Sequence, residues 1–450
     1  MESTAKKNYT LPIIMMVALF FMISFVTGLQ NPFGIIVKNQ FAASNFMSQL
    51  GNAANFIAYA FMGIPAGMLL QKIGYKKTAL LAIIVGFCGV GISYLSGVAG
   101  SYAVYLTGAF VSGFSMCMLN TVVNPMLNTL GGGGNKGNQL IQVAGSVNSI
   151  GATIVPVLVG YLIGDAAKAQ ISDANPALFL AMGIFAIVFI VLFCMQIPEP
   201  HMVKENEAKT PDKHSALSFR HFILGAIAIF LYVGVEVGIP NFMNLFATSS
   251  EIGIDPTVAG SIVGTYWFLM MIGRLFGASF GAKISSKAML SSAATVGMIF
   301  ILIAIFAPAT TKVSMPVFLS DISFGMVEVP VGIMFMALCG LCTSIMWGGI
   351  FNLAVEGLGK YTAAASGIFM VMVCGGGILP LIQGAVADAG GFISSFWVVF
   401  LGLAYLLYYA LIGSKNVNKD ITGVRCLSGE VTVNGTTPYK RIGKSFFVMP

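Results

Sequence analysis

Few residues in this chain can do chemistry, and they sit in apolar company. Asn120, Asn124 and Asn128 recur four apart in "SMCMLNTVVNPMLNTLG" (115–131), inside a long apolar run. In a helix that spacing lines three carboxamides along one slowly drifting face. Glu236 is the one acidic residue of 16 that falls in the middle of such a run, with Tyr232 a helical turn before it and Pro240 a turn after. A carboxylate at that depth is expensive to keep ionised. It suits a proton-coupling group, a partner for a sodium ion, an acceptor for substrate hydroxyls, or a structural acceptor for an amide across the bundle.

Other polar side chains are threaded through the same kind of run: Gln30 and Asn31 before Pro32, then Gln139, Gln142, Asn148 and Ser149, then Tyr266 and Trp267, then Trp347 and Asn352, then Gln383. Amides both donate and accept hydrogen bonds, which suits a ring of hydroxyls. The faces of Trp267 and Trp347 suit the C–H face of a pyranose. The plainer reading of any single amide is helix-to-helix glue, worth about 0.6 kcal/mol. Taken as a set they predict the wall of a wet, uncharged cavity, with Asn128, nearer the helix end, as cap or glue. Arg274 reads either as a gate and carboxylate partner or as an end-of-helix cation reaching for the interface. Lys72, Lys76 and Lys77 read as gating residues at the cytoplasmic face or as plain topological bias.

The elements that must position these groups follow from composition. Of 450 residues, 57% are hydrophobic and 9% charged, and the mean hydropathy is +0.89. Water-soluble surfaces run near a quarter charged, so a soluble domain is excluded. Apolar runs of about 20 residues, long enough for a hydrocarbon core of roughly 30 Å, predict twelve membrane helices. They fall near 11–36, 47–71, 78–97, 102–127, 139–164, 176–197, 220–247, 257–281, 288–308, 329–354, 362–387 and 394–413. With the N-terminus inside, nineteen of the 23 Lys and Arg lie in inner loops and tails. That bias predicts a multi-pass protein of the cytoplasmic (inner) membrane with both termini cytoplasmic. The net charge of +7 therefore reports topology and implies no nucleic-acid partner. The first run is too long for a signal peptide. Pro125, Pro156, Pro240, Pro380 and Gly375–Gly376–Gly377 permit bends.

Enzyme and cofactor signatures fail on inspection. "GGGGNKGN" (131–138) lacks the glycine directly before the lysine and the Ser/Thr after it that a phosphate loop needs. The three histidines, 201, 214 and 221, cluster in or beside one polar stretch away from cysteines and carboxylates at ligand spacing. Cys339 and Cys342 lie mid-helix and read as packing residues. No cofactor and no metal are expected, and energy comes from a gradient or from none.

The polar stretch 197–220 divides the chain into an N-terminal bundle (1–197), a cytoplasmic linker (198–219), a C-terminal bundle (220–413) and a tail (414–450) in which "VTVNGTTPY" predicts a hairpin at Asn434–Gly435. The bundles echo each other. "GIPAGMLLQKIGYKK" (63–77) aligns with "GRLFGASFGAKISSK" (273–287), so Gly63, Gly67 and Lys77 fall on Gly273, Gly277 and Lys287. "NTVVNPMLNTLG" (120–131) aligns with "GGIFNLAVEGLG" (348–359), and Pro156 and Gly160 meet Pro380 and Gly384; the drift in offset predicts a longer loop at 309–328. Parallel repeats of this kind place a substrate site at their interface near mid-membrane and point to alternating access.

"GIPAGMLLQKIGYKK" resembles the loop motif of the major facilitator superfamily, with Gln71 in its acidic position. "LNTVVNPMLNTLG", "GSVNSIGA", "VEVGIPNF", "YWFLMMIGRLFG" and "IMWGGIFNLAVEGLG" resemble the fucose permease and glucose/galactose transporter branch over roughly residues 11–413. The resemblance implies an all-α membrane protein of twelve transmembrane helices in two pseudo-symmetric six-helix bundles. It also implies import of a neutral monosaccharide, coupled to protons or sodium, by a monomer in the lipid bilayer. Two carboxylates that serve coupling and sugar binding in fucose-permease-like symporters fall here on Asn31 and Asn120, so coupling is expected to run through Glu236. The alternatives are an uncoupled sugar facilitator, an exporter of amphipathic compounds and a non-transporting sugar sensor.

Overall fold

The computed structural model describes residues 9–40, 45–163, 170–199, 214–319, 323–417, 424–427, 430–433, 438–442 and 445–448. The N-terminal part is built from α1 (Thr10–Gln40), α2 (Asn45–Ala99), α3 (Tyr102–Leu130), α4 (Gly134–Ile163) and α5 (Asn175–Cys194). The C-terminal part runs α6 (Arg220–Thr248), α7 (Pro256–Phe280), α8 (Ser286–Phe306), α9 (Val331–Ser344), α10 (Met346–Val355), α11 (Thr362–Val371), α12 (Gly375–Gly390) and α13 (Phe392–Tyr408).

Among the described residues ten helical segments are long and apolar enough to cross a membrane. One of them, Ala53–Ala99, has 47 residues, and so is about 70 Å long at 1.5 Å per residue. No bilayer is that thick. The second and third spans are therefore two limbs of α2, folded at Gly74, whose φ of 82° and ψ of 178° suit a residue without a Cβ. The 30 residues of α4 supply the remaining crossing, which makes twelve. The tenth span is α9 and α10, broken at Ile345, and the eleventh is α11 and α12, separated by a 3-10 turn at Met372–Cys374.

Two local structures go beyond the apolar runs. The stretch expected as a loop at 309–328 is an antiparallel hairpin, β1 (Lys312–Phe318) on β2 (Phe324–Pro330). Alternation explains it, because Met315, Val317 and Val329 turn inward and are buried while Lys312, Ser314 and Glu328 turn out. The Phe318 ring stacks on Phe268 of α7 at 4.9 Å, and the Phe318 amide donates to Thr265 Oγ1 at 2.8 Å. In the tail, β3 (Val424–Leu427), β4 (Glu430–Val433), β5 (Pro438–Ile442) and β6 (Ser445–Val448) form an antiparallel meander. Asn434 and Gly435 lie between β4 and β5, outside the described residues.

The two sets of six spans meet along two seams, α2 against α11 and α4 against α7. Both seams lie toward the end of the bundle where α5 stops and α6 starts, here termed the linker face; the β1–β2 hairpin marks the opposite face. At the α2–α11 seam a Cβ on Gly67 would lie 2.9 Å from the Gly367 Cα, so only glycine lets these backbones touch.

Candidate functional site

α3 carries the amide stripe into the bundle interior, where Asn120, Asn124 and Asn128 are all buried. Buried amides need partners, and each finds some. Asn120 Nδ2 donates to the Tyr59 hydroxyl at 2.9 Å and to Met116 O at 3.1 Å. Asn124 Nδ2 donates to Asn120 O at 2.9 Å, while Asn124 Oδ1 accepts from Trp347 Nε1 at 3.0 Å. Further toward the linker face, Asn128 Nδ2 donates to Asn352 Oδ1 at 2.8 Å, and Asn352 Nδ2 donates to Ser286 Oγ at 2.8 Å. The stripe thus ties α3 of the first half to α10 of the second at two levels.

A second cluster is charged. Arg274 on α7 and Glu236 on α6 form an ion pair, Nη2 to Oε1 at 3.3 Å, with side chains 13% and 14% exposed. The same guanidinium donates through Nη1 to Ser149 Oγ at 2.8 Å, to Gly145 O at 3.2 Å and to Asn148 Oδ1 at 3.4 Å, all on α4. Its Nε donates to Ser344 O at 3.4 Å, and Asn148 is held in turn by donating Nδ2 to Phe20 O of α1 at 2.8 Å. Tyr266 donates its hydroxyl to Glu236 O at 3.2 Å and shares a 3.0 Å bond with Thr343 Oγ1. The Arg fork matches one carboxylate and several oxygens at once, which a lysine cannot do.

Trp347 joins the clusters. Its indole bonds Asn124 on one side, and its ring lies 6.2 Å from the ring of Tyr232, one turn below Glu236. The Tyr232 hydroxyl is buried and lies in the field of the Glu236 carboxylate without the geometry of a hydrogen bond. Glu236, Arg274, Asn148, Trp267 and Trp347 belong to or border these clusters and are incompletely buried. Amides, two indoles and one carboxylate brought together in this way can hold a polyhydroxylated solute by hydrogen bonds and stacking.

A fold of twelve crossings in two repeats, with polar side chains from both repeats meeting at its centre, agrees with the sequence comparison. The profile of the Major Facilitator Superfamily matches residues 16–379. The chain belongs to the major facilitator superfamily. It is 32% identical over 426 residues to a glucose/galactose transporter of Brucella abortus, covering 92% of this chain and 97% of that one. It is 25% identical over 414 residues to the L-fucose-proton symporter of Escherichia coli, covering 87% and 90%. Among solved structures it matches FucP, a superfamily transporter in the outward conformation, with a TM-score of 0.77 at 21% identity over 91% of this chain and 100% of that one. The proton:xylose symporter XylE matches with a TM-score of 0.66 at 14% identity over 91% and 97%. The chain is accordingly a membrane transporter and not an enzyme.

In this superfamily member the remaining sequence-derived residues are placed as follows. Gln142 Nε2 donates across the halves to Ile345 O at 3.0 Å, and Gln139 Nε2 to Ala278 O at 2.8 Å. Trp267 packs edge-on against Tyr266 at 5.3 Å. Gln383 is set apart, donating to Ser395 Oγ at 3.4 Å and packing on Gly238 within the second half. Gln30 and Asn31 lie on α1 with side chains outside the described residues. Lys76 Nζ donates to Phe193 O at 2.7 Å and Met195 O at 2.6 Å, bracing the end of α5, while Glu199 accepts from the backbone amides of Tyr75 and Lys76. Lys72 and Lys77 are exposed. In the second half Lys287 donates to Leu411 O at 2.8 Å, the matching brace on the last span.

Tyr59, Thr343 and Ser286 belong to the polar network and were not among the sequence candidates. Tyr59 carried a readable signal, since Asn52, Asn55, Tyr59 and Gly63 recur at three- and four-residue steps on the second span. Thr343 and Ser286 carried none, because a hydroxyl in a membrane helix usually satisfies itself on its own backbone.

Proposed function

We propose that this chain imports a neutral monosaccharide of the glucose, galactose or fucose type across the cytoplasmic membrane by alternating access. The observation that carries the reading is the meeting of the Asn120–Asn124–Trp347 amide and indole cluster with the lone mid-span carboxylate through Tyr232. The names of the relatives, a glucose/galactose transporter and an L-fucose-proton symporter, support sugar as the substrate class. The lysine and arginine bias supports cytoplasmic termini, which makes the linker face cytoplasmic. The two bundles of this proposal are 1–197 and 220–413, joined by 198–219, and the working unit is one chain.

Coupling runs through Glu236, and its ion is the proton. A carboxylate already 3.3 Å from a guanidinium offers a sodium ion a site with a positive neighbour, whereas a proton needs only one oxygen lone pair. Asn31 and Asn120 carry no ionisable group, so they serve hydrogen bonding alone. A second reading, an uncoupled facilitator, draws support from the same ion pair, because a carboxylate matched by Arg274 can stay charged throughout the cycle.

Uptake of labelled hexoses into proteoliposomes, with pH and sodium gradients varied separately, tests both. The proposal expects accumulation driven by an inward proton gradient and indifferent to sodium. Glu236→Gln is expected to abolish accumulation and spare sugar exchange. Accumulation that survives in Glu236→Gln removes that residue from coupling, and downhill flux alone in the unaltered protein selects the facilitator.

A further inference from the structure

One connection breaks the repeat. Between the third and fourth spans the chain turns through Gly100 and Ser101, whereas the matching connection between the ninth and tenth spans is the whole β1–β2 hairpin. Its neck is closed at the start of α9, where the Val331 amide donates to Thr311 O at 2.9 Å. A strand of seven residues, at about 3.4 Å each, then carries its tip roughly 20 Å from that neck and on to α7. There the Phe318 amide donates to Thr265 Oγ1 at 2.8 Å. The Thr265 hydroxyl donates its own proton to Ser261 O at 2.9 Å, which leaves its oxygen to accept. The Phe318 ring lies on Phe268 with 7° between the planes, and Phe324, its partner across the hairpin, meets Phe268 edge-on at 5.3 Å. Thr265 and Phe268 are three residues apart and share one face of α7. Tyr266 and Trp267, between them in sequence, fall on the other side of the helix. Tyr266 is held there by Glu236 O and Thr343 Oγ1. Trp267 stands seven residues before Arg274, on the face that looks across to α4, with the Tyr266 ring edge-on to it.

We propose that the β1–β2 hairpin is a clamp that fixes the rotation of α7 about its own axis, and that Phe318 and Thr265 are thereby positioning residues for Trp267 at the sugar site. The inference deepens the transport reading above and rests on it for the sugar. The physical reason is direction. Apolar burial is non-directional, so a helix greasy on every side turns about its axis at little cost. A hydrogen bond and a ring stack do have preferred geometries, and both reach α7 here from a strand rooted on other spans. With an outer helix radius of about 5–6 Å, a turn of roughly 20° carries a side-chain end about 2 Å. A close stacking contact is lost over such a shift. Gripping one side of α7 therefore sets what its far side presents. The two-residue turn of the first half is too short to reach a neighbouring span in this way.

The test has one arm with sugar and one without, both on the full chain in proteoliposomes. Thr265→Val keeps the shape of the side chain and leaves the Phe318 amide without its acceptor. It is expected to raise the half-saturating concentration of labelled glucose or galactose about fivefold, the loss of one neutral hydrogen bond, while the maximal rate holds. Phe318→Leu, which removes the ring stack, is expected to shift it the same way. Thr265→Ser keeps the accepting oxygen and is expected to restore the original value. Trp267→Leu raises the half-saturating concentration too, and Thr265→Val added to it is expected to change nothing more, because the clamp acts through that ring. A fall in maximal rate with half-saturation unchanged marks a purely structural hairpin and overturns the proposal. An equal rise from Thr265→Val with and without Trp267 overturns it as well. In the arm without sugar, Trp347→Phe and Trp397→Phe leave Trp267 as the sole indole of the chain. Thr265→Val is expected to change the quenching of its fluorescence by acrylamide, and Thr265→Ser to leave it as it was. Unchanged quenching in Thr265→Val overturns the clamp even where hexose uptake is normal. Changed quenching in a chain that takes up no hexose upholds the clamp on α7 and removes the sugar reading.

Discussion

The two seams that join the halves occupy equivalent places in the repeat and are built from opposite materials. At α2–α11, Gly67 rests on the backbone of Gly367, and beside that contact Ser366 Oγ donates to Thr121 O of α3 at 3.1 Å. At α4–α7, Gly277, the repeat partner of Gly67, faces the side chains of Ile345 and Gln142, and Arg274 forks across the gap. Even the small bonds correspond, since Gln142 stands where Ser366 stands and each donates to a backbone carbonyl of the opposite half. The position matching Arg274 is Ile64, which is exposed and apolar. One seam is therefore a dry contact fixed by backbone shape, and the other is a polar contact whose strength depends on charge. A dry seam can act as a bearing, while a charged seam can be switched.

The sharpest way to break this comparison is to remove one member of the ion pair. Arg274→Ala leaves Glu236 unmatched and is expected to destabilise the protein by about 3–5 kcal/mol, read as a fall in thermal midpoint in detergent. The double variant Glu236→Gln/Arg274→Ala is expected to recover much of that loss. A double variant as unstable as Arg274→Ala alone would show that the seam is held by shape on both sides.

Next in size is the glycine contact. Gly67→Ala drives a methyl to within 2.9 Å of a backbone carbon, which has no rotamer to yield, and an overpacking cost of about 1–3 kcal/mol is expected together with reduced uptake. Gly277→Ala meets the ends of Ile345 and Gln142 instead, which can shift, so its effect on the same thermal melt is expected to be the smaller. The reverse order contradicts the assignment of the dry and switchable seams.

Smaller effects concern the bond that links the amide cluster to the charged one. Trp347→Phe keeps an aromatic face and loses the donor to Asn124, a change of about 1 kcal/mol and so about fivefold in the half-saturating sugar concentration. An unaltered value there would place sugar away from the indole. Smallest is Asn128→Ala, which breaks a single amide bond to Asn352 between the halves, expected to cost about 0.6 kcal/mol in the thermal melt with sugar affinity unchanged.

Much of the architecture was legible before any coordinates. Apolar runs near the thickness of a bilayer marked the crossings, and the aligned glycines marked the repeat. The second and third runs are two helices that meet at the non-helical Gly74, inside the polar stretch Gln71–Lys77 that had already separated the runs at 71 and 78. The hairpin at 312–330 stayed hidden: strands of seven residues beside long membrane helices add little to any window average. Among the site residues, the amide stripe was readable from its spacing alone. That Gln383 would turn into the second half, and that Arg274 would reach α4, was not.

The sequence by itself determined that this chain lives in a bilayer, how many times it crosses, and that its two halves share one plan. Those properties follow from run length and composition, which are local sums. The tertiary structure alone decided which polar groups meet. A helix apolar on every side carries no mark of its rotation about its axis, and the partners of Arg274 stand 38 residues away at Glu236 and 125 away at Ser149, a choice made only when the spans pack.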